Sequence, residues 1–328
     1  MAMLKSFDLQ GNKDSFSDWI SNISPEDTFL VSNSTKESTP TNRYKWQTDA
    51  LDQVVYDLSQ SLDDFAIEEG SEAPATETIK TKSTAEYSGV TQIFRKTFTI
   101  SDSALATAAH GREKELKYQI EKAGKELKNV MEIVFSSKQV KTAPDATHTT
   151  AKTDGLFSLI AAKDLDNPDL KAPATAGENA VHKAGELKFA SIDAIASALY
   201  RSGSKASYIV TNPVNADAIN KARDEAETAK VKQLSIVDKS NSAKETELNT
   251  ITDSMGNTWI IFYSRFVPTD LVYFVDPNAI KQRVLREPKA TQLGKNGSFE
   301  TWQLIIESGL VLTNPFACGL LEITSNNP

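Results

Sequence analysis

The sequence predicts a mixed α+β fold, and three features carry that prediction. Polar and aromatic residues alternate from Tyr44 to Ala50, as in an exposed strand. Apolar residues then recur every three or four positions up to Phe135, which is the period of a helix with one buried face. The segment Phe299 to Ile323 is a nearly continuous β pattern. At 328 residues, the chain is long enough for one elaborate domain or two ordinary ones.

The first 45 residues are polar, with few apolar positions and no long helical or strand period, so they predict an arm. Ser24-Pro25-Glu26-Asp27 is typical of a helix start, since proline suits the first helical position and acids suit the first turn. A loop rich in Ser, Thr and Asn is expected from Ser32 to Asn42.

An acidic segment follows the first strand. Between Lys45 and Lys80 the chain has no basic residue, whereas nine positions are acidic: Asp49, Asp52, Asp57, Asp63, Asp64, Glu68, Glu69, Glu72 and Glu77. Such a segment repels itself, so it must lie in solvent or meet a basic surface. With its return leg, Lys80 to Ile100, it predicts a long two-stranded loop projecting from the body. An acidic connector in solvent is the alternative.

The charged segment after this loop predicts one long helix. Asp102 or Ser103 can cap it, Gly111 is a weak point within it, and it should end near Phe135. Its apolar stripe consists of Leu116, Ile120, Ala123, Leu127, Val130, Met131 and Val134. Pairs at i,i+4 spacing, including Lys117–Glu121, Lys122–Glu126 and Lys128–Glu132, are expected on the solvent face.

The remainder predicts a loop-rich excursion and then a compact α/β unit. Residues 138–190 contain one apolar anchor, Gly155 to Ile160. Helices are expected at Ser191–Arg201 and Asn215–Ala229, and the 253–257 segment has hairpin turn chemistry. The expected strands are Ala206–Thr211, Gln233–Val237, Leu248–Thr252, Trp259–Tyr263 and Leu271–Val275. The basic stretch Lys281, Arg283, Arg286 and Lys289 is expected to be a solvated face or a partner for the acidic loop.

The sequence offers no catalytic, cofactor or metal site. The short motifs of serine hydrolases, P-loop enzymes, dinucleotide enzymes and zinc proteases are missing, which favours a protein that is not an enzyme. Cys318 lies in an apolar strand, so buried packing is expected rather than nucleophilic chemistry. His110, His148 and His182 lack ligand spacing, and Asp164 to Asp169 departs from a calcium loop because it contains Pro168.

Composition narrows the function further. The formal net charge of -8 and a pI near 5.1 argue against a dedicated nucleic-acid binder. No apolar run approaches the ~20 residues that span a bilayer, and the N-terminus lacks a signal-peptide pattern, so no export is expected. A single cysteine fits a reducing compartment.

Several motifs in this order resemble the N-terminal half of the major head proteins of tailed phages, most closely a podophage head-protein family. The similar segments are Ile23 to Thr28, Tyr44 to Leu51, Glu68-Glu69-Gly70, Thr91 to Phe94, Ile100-Ser101-Asp102 and Gly111 to Leu116, with Glu307 to Leu310 and Asn314 to Ala317 matching more loosely. One departure is Phe29-Leu30-Val31, where relatives usually keep a proline and a longer apolar run.

The resemblance implies the Hong Kong 97 capsid fold. Residues 1–40 would be the N-terminal arm, 41–100 the extended loop, 101–190 with 290–328 the peripheral domain built on a spine helix, and 191–289 the axial domain. It also implies self-assembly into hexamers and pentamers of an icosahedral or prolate head enclosing double-stranded DNA, without sequence-specific binding. A portal, and scaffold or cement proteins, would be further partners. The virion would be the location, after assembly in the host bacterial cytoplasm.

On this interpretation the acidic loop lies over a neighbouring subunit's spine helix or basic strip. The contact candidates are Asp63, Asp64, Glu68 and Glu69 on the loop and Arg112, Lys117 and Lys122 on the helix. Two other classes remain open at this point. An encapsulin-like compartment would share the fold but enclose protein, and a soluble binding protein or enzyme would need a pocket in the 191–290 unit.

Overall fold

The computed structural model describes residues 28–48, 69–70, 85–107, 115–147, 149–161, 182–229, 250–295 and 297–324. The helices in these residues are α1 Phe29–Asn33, α2 Asp102–Ala106, α3 Glu115–Ser136, α4 Leu156–Ile160, α5 Phe189–Arg201 and α6 Ala216–Ala229. The strands are β1 Thr35–Ser38, β2 Arg43–Thr48, β3 Ala85–Val90, β4 Gln92–Ser101, β5 His182–Gly185, β6 Tyr208–Thr211, β7 Thr250–Thr252, β8 Thr258–Tyr263, β9 Leu271–Val275, β10 Ile280–Gln292, β11 Phe299–Leu312 and β12 Gly319–Ile323. The predictions at Pro25, Gly111, Asp164 to Asp169 and Gln233–Val237 lie outside the described residues.

A four-stranded sheet has the order β1-β10-β11-β4, and α3 covers one of its faces. The core between them includes Phe94 of β4 and Phe135 of α3, whose rings meet edge to face at 6.1 Å between centroids. Alternate residues of β4 point the other way, so Ile93 and Arg95 are exposed. β4 therefore turns one face to the core and the other to solvent, whereas residues 306–312 of β11 are all buried.

A six-stranded sheet has the order β5-β12-β9-β6-β8-β7. Its central strand β9, Leu-Val-Tyr-Phe-Val, is buried at every position because both faces of the sheet are covered. On one face, α5 packs so closely over Gly319 that a Cβ there would lie 2.7 Å from Ile195 Cγ2. On the other face, the hydroxyl of Tyr273 donates to the carbonyl oxygen of Ser136 at the end of α3. That bond ties the six-stranded sheet to α3, the predicted spine helix, which also covers the four-stranded sheet.

The two-stranded part of the extended loop is shorter at its return leg than expected. β2 and β3 pair antiparallel from Arg43↔Val90 to Thr48↔Ala85 and form a separate two-stranded sheet. The return leg does not stay in that sheet up to Ile100, because β4 pairs with β11 along its whole length. The predicted projection therefore joins the body at Val90.

The predicted single helix is two helices among the described residues. α2 ends at Ala106, because Thr107 is extended, and α3 begins at Glu115. The cap of α2 is Ser101, whose side chain accepts a hydrogen bond from the Ala104 amide, and not Asp102 or Ser103. Val130, expected in the buried stripe, is 47% exposed, whereas Ala123, Leu127 and Met131 are buried as predicted.

Three strands were not predicted. β5 falls in the 138–190 segment that was expected to be rich in loops, and it pairs parallel with β12. β1 falls in the polar segment expected to be a loop and pairs parallel with β10, from Thr35↔Lys281 to Ser38↔Val284. β10 covers the basic stretch, and its register shifts near Pro288, a residue that cannot donate to a sheet ladder. The helices α5 and α6, the strands β6 to β9 and the final β pattern agree with the predictions within a few residues.

Candidate assembly surfaces

The base of the extended loop is fixed to the body by two aromatic side chains of β2. The Tyr44 hydroxyl donates to the Leu310 carbonyl oxygen at 2.9 Å, and Trp46 Nε1 donates to the Leu312 carbonyl oxygen at 3.1 Å. Trp46 also stacks on Tyr87 of β3, with 5.7 Å between ring centroids. The loop therefore leaves the body from a rigid aromatic platform.

Two glycines make room for Tyr44. A Cβ at Gly89 would lie 2.3 Å from Tyr44 Cε2, and a Cβ at Gly309 would lie 2.3 Å from its hydroxyl oxygen. Tyr44 is 7% exposed, and burial raises the pKa of its hydroxyl above the usual 10, so the group stays a neutral donor. The site needs glycine at both positions because a real Cβ does not come this close.

A buried carboxylate holds the strands together beside this base. Glu307 of β11 accepts from Thr91 Oγ1 at 2.9 Å and from Arg286 Nε at 2.7 Å, so it links the start of β4 to β10. Its side chain is 10% exposed, against 52% for Arg286. Arg286 therefore has a partner within its own subunit.

The arm segment Thr28–Ser34 lies between α3 and the six-stranded sheet. Phe29 packs against Tyr208 and Phe262, with ring centroids 5.4 and 4.9 Å away. The backbone amides of Leu30 and Val31 donate to the two carboxylate oxygens of Glu132, at 2.9 and 2.8 Å. This contradicts the expected surface pair Lys128–Glu132, because Glu132 is fully buried and faces the arm.

Chemistry of other kinds has little support in the described residues. Among them, no group of three or more His, Cys, Asp or Glu side chains is arranged to hold a metal ion, and no helix is long and apolar enough to cross a membrane. Cys318 is buried as predicted, and burial raises its pKa to about 12, so the thiol is a poor nucleophile. His182 lies in β5, while His110 and His148 lie outside the described residues.

Comparison with known proteins decides the family. The family model described as SU10 major capsid protein matches residues 3–325. The chain belongs to the SU10 major capsid protein family. It is also 35% identical to the major capsid protein of Escherichia phage Phieco32, over 96% of this chain and 95% of that protein. As a member of this family it has the function of a phage capsid protein, a component of the virion that assembles into multimeric shells.

Solved structures agree on the fold. The capsid of the native GTA particle superposes with a TM-score of 0.61 at 12% identity and 98% coverage of both chains. The SrpI encapsulin of Synechococcus elongatus superposes with a TM-score of 0.56 at 10% identity, covering 98% of this chain and 96% of that one. At these identities the likeness shows the fold alone, and that fold is the predicted Hong Kong 97 capsid fold.

The structure describes three of the seven predicted contact residues, Glu69, Lys117 and Lys122. Asp63, Asp64, Glu68 and Arg112 lie outside the described residues, whereas Glu69 is exposed in a turn closed by Gly70 at φ 85°. Lys117 and Lys122 are exposed on α3, and among the described residues no ion pair joins either of them to Glu69. The contact they were predicted to make therefore stays a prediction about two subunits.

The basic stretch divides into engaged and exposed residues. Lys281 Nζ and Arg283 Nη1 lie 2.6 and 2.9 Å from Glu37, which β1 brings alongside β10. These bonds hold the pKa of Glu37 below its usual 4.5. Lys289 and, on β4, Arg95 are exposed. Two acids of the same subunit therefore engage the stretch: Glu37 of β1 pairs with Lys281 and Arg283, and Glu307 of β11 pairs with Arg286. β1 has no hydrophobic period from which it could have been predicted.

Proposed function

We propose that this chain tiles the closed head shell of a tailed phage as hexamers and pentamers, and that the shell encloses double-stranded DNA. The observation that carries the proposal is the 35% identity to a phage major capsid protein across nearly the whole of both chains. The architecture supports it, because β2 and β3 form the base of a two-stranded projection in a sheet of their own, and a projection of this kind can reach a neighbouring subunit. The expected head is icosahedral or prolate.

Assembly is tested directly by expressing the chain and examining it by size exclusion and negative-stain microscopy. We expect shells, or capsomers that convert to shells. A chain that stays monomeric at every concentration, with and without phage-infected cell extract, would contradict the proposal.

A second candidate is an encapsulin-like compartment, because the SrpI encapsulin shares the fold. The contents of purified particles separate the two. Particles that protect double-stranded DNA from nuclease support the phage head, whereas particles that contain a defined protein and no DNA support the compartment. The negative charge of the chain suits a container that does not grip nucleic acid.

The remaining partners follow from the head. We infer a portal at one vertex, scaffold or cement proteins during assembly or maturation, and assembly in the host bacterial cytoplasm. DNA would be enclosed without base-specific contacts, since the acidic balance lacks the electrostatic footprint of a nucleic-acid binder. Mass spectrometry of particles from infected cells identifies such partners.

We also infer that the acidic loop, in particular Asp63, Asp64, Glu68 and Glu69, lies on the spine helix of a neighbouring subunit. The loop has a fixed base, where the Tyr44 hydroxyl binds the Leu310 carbonyl oxygen, and its acids follow that base in sequence. The exposed cations of α3, Lys117 and Lys122, offer the complementary charge, with Arg112 before them in sequence. Charge complementarity of this kind sets register even where each contact is weak.

Not every basic residue of the subunit is available to bind the acidic loop of a neighbour. Lys281 and Arg283 are paired with Glu37, and Arg286 with Glu307, in the subunit itself. The spine helix is therefore the better recipient than this part of the basic stretch.

Charge reversal tests the contact. Changing Asp63, Asp64, Glu68 and Glu69 to Lys should abolish shells while folded subunits remain in solution, as seen by circular dichroism and microscopy. Adding Arg112→Glu, Lys117→Glu and Lys122→Glu should restore shells, because the complementarity returns with exchanged signs. Normal shells from the first variant would refute the loop contact, and absence of rescue by the second would refute the spine helix as recipient.

A further inference from the structure

Glu132 is a buried carboxylate in a hydrophobic part of the spine helix. Its neighbours in sequence are Val130, Met131, Ile133, Val134 and Phe135, and its side chain has no exposed surface. Its carboxylate accepts backbone amides of the arm: Leu30 donates to Oε1 and Val31 to Oε2, and the Phe29 amide is a third donor. A charge buried in this way is normally matched by a cation.

Among the residues that the structure describes, no cation acts on Glu132. α1 has no titratable side chain, and β10 brings the neutral Gln282, whose Nε2 donates to the Val31 carbonyl oxygen at 3.1 Å. Lys281 and Arg283 beside it bind Glu37. The six-stranded sheet contributes Tyr208 and Phe262 through their contact with Phe29. On α3, Lys128 is exposed and Ser136 donates to the Glu132 carbonyl oxygen.

We propose that Glu132 is a proton-controlled clasp, which holds the arm segment Thr28–Ser34 between α3 and the six-stranded sheet more firmly when its carboxyl group is protonated. The protonated group is neutral, so it can stay buried without a cation. The ionised group gains from the three amide donors but remains a desolvated charge, and water stabilises it better once the arm has moved away. The proposal concerns the folded subunit and does not depend on what the shell encloses.

The direction of the pH dependence follows from linkage. Burial raises the pKa of Glu132 from its usual 4.5 to about 7, although the arm amides act in the opposite sense. With the arm released, the group meets water and its pKa returns toward 4.5. The seated form therefore binds more protons between these values, so the seating of the arm is strongest below pH 4.5, weakens as the pH rises, and levels off above about 7. The equilibrium changes by up to about a few hundredfold across this range.

Hydrogen exchange with mass spectrometry tests the clasp on the full-length chain. The readout is the protection factor of peptides covering Leu30 and Val31, which corrects for the intrinsic pH dependence of exchange. From pH 5 to pH 8 this protection should fall by tens of fold in the natural protein. It should be independent of pH in Glu132→Gln, because the amide does not titrate in this range.

Two controls separate the clasp from general stability. Glu126→Gln removes a carboxylate on the same helix that pairs with Lys96, and it should keep the pH dependence of the natural protein. Peptides from the buried strand β9 should show constant protection in all variants.

Phe29→Ala replaces Glu132→Gln as the test if Glu132→Gln fails to fold, which loss of β9 protection would show. This variant loosens the packing over Glu132, so the pH midpoint of arm release should move from about 7 toward 4.5. The proposal is overturned if arm protection in the natural protein does not vary with pH. It is also overturned if Glu132→Gln retains the natural pH dependence, or if the midpoint in Phe29→Ala does not move.

Discussion

The base of the extended loop, β2 and β3, and the arm segment Thr28–Ser34 are attached to the same body by different chemistry. At the loop base, neutral aromatic donors meet backbone carbonyl oxygens: Tyr44 binds Leu310 and Trp46 binds Leu312. At the arm, backbone amides of Leu30 and Val31 meet the ionisable carboxyl group of Glu132. One attachment has no group that titrates near neutral pH, and the other does.

The two attachments also differ in how their segments meet the sheets. The side chains of β2 contact β11, but β2 is not a strand of the four-stranded sheet. The arm continues from α1 into β1, which adds a parallel strand to the edge of that sheet. The base of the loop is therefore a separate sheet beside the body, whereas the arm segment is part of the body, and in our proposal its attachment depends on the protonation of Glu132.

The largest effect is expected from Gly309→Ala at the loop base. The added Cβ would lie 2.3 Å from the Tyr44 hydroxyl oxygen and 2.8 Å from the Val90 carbonyl oxygen, so both β2 and the end of β3 must shift. We expect a loss of about 2–4 kcal/mol in the free energy of unfolding. Urea denaturation measures it.

Gly124→Ala in α3 is the matched control for that substitution. The nearest atom to its new Cβ is Leu304 Cδ2 at 3.9 Å, an ordinary contact. Replacing a helical glycine with alanine should then stabilise the protein by about 0.5–1 kcal/mol. Equal effects of the two substitutions would show that Tyr44 does not require the space at Gly309.

A smaller effect is expected at the arm from Gln282→Met. Its Nε2 donates to the Val31 carbonyl oxygen and to Ser34 Oγ, while its Oε1 is buried with no hydrogen-bond partner in the described residues. The substitution should lower the free energy of unfolding by about 1–2 kcal/mol. It removes the hydrogen bond to the Val31 carbonyl oxygen, but it also removes the unpaired Oε1 of Gln282 itself. Hydrogen exchange should place the loss in the arm, with β2 unchanged. Gln303→Met, on the half-buried outer part of β11, is the control and should change stability by less than about 0.5 kcal/mol.

Local patterns predicted much of this fold. The alternation at Tyr44–Thr48 predicted β2, and the buried positions Ala123, Leu127 and Met131 of α3 follow the helical period. The order α5, β6, α6 was also predictable, because turn residues such as Asn212-Pro213 mark its boundaries. In these elements the local pattern and the final environment agree.

The arm seat was not predicted because its partners are distant in sequence. Glu132 has the i,i+4 spacing of a surface pair with Lys128, yet it binds amides about a hundred positions away. An acid inside the apolar run from Val130 to Phe135 was the available signal. β1 has no hydrophobic period, because it is a mostly exposed edge strand. Its pairing with β10 joins residues more than two hundred positions apart, which no local pattern reveals. The contact of the acidic loop with a neighbouring subunit stays a prediction, because most of its residues lie outside the described ranges.

The smallest effect, and the sharpest test of the difference between the attachments, is Tyr44→Phe. Losing the bond to the Leu310 carbonyl oxygen should cost about 1 kcal/mol, and the cost should be the same at pH 5.5, 7 and 8.5. The reason is that burial raises the pKa of Tyr44 above 10, so the hydroxyl does not ionise in this range. Urea midpoints of the natural protein and of the variant at the three pH values measure this cost. Because Glu132 titrates in both proteins, its own effect cancels in the difference. A Tyr44→Phe cost that changes with pH would mean that the loop base is coupled to the carboxyl group of the arm seat, and that the two attachments act as one.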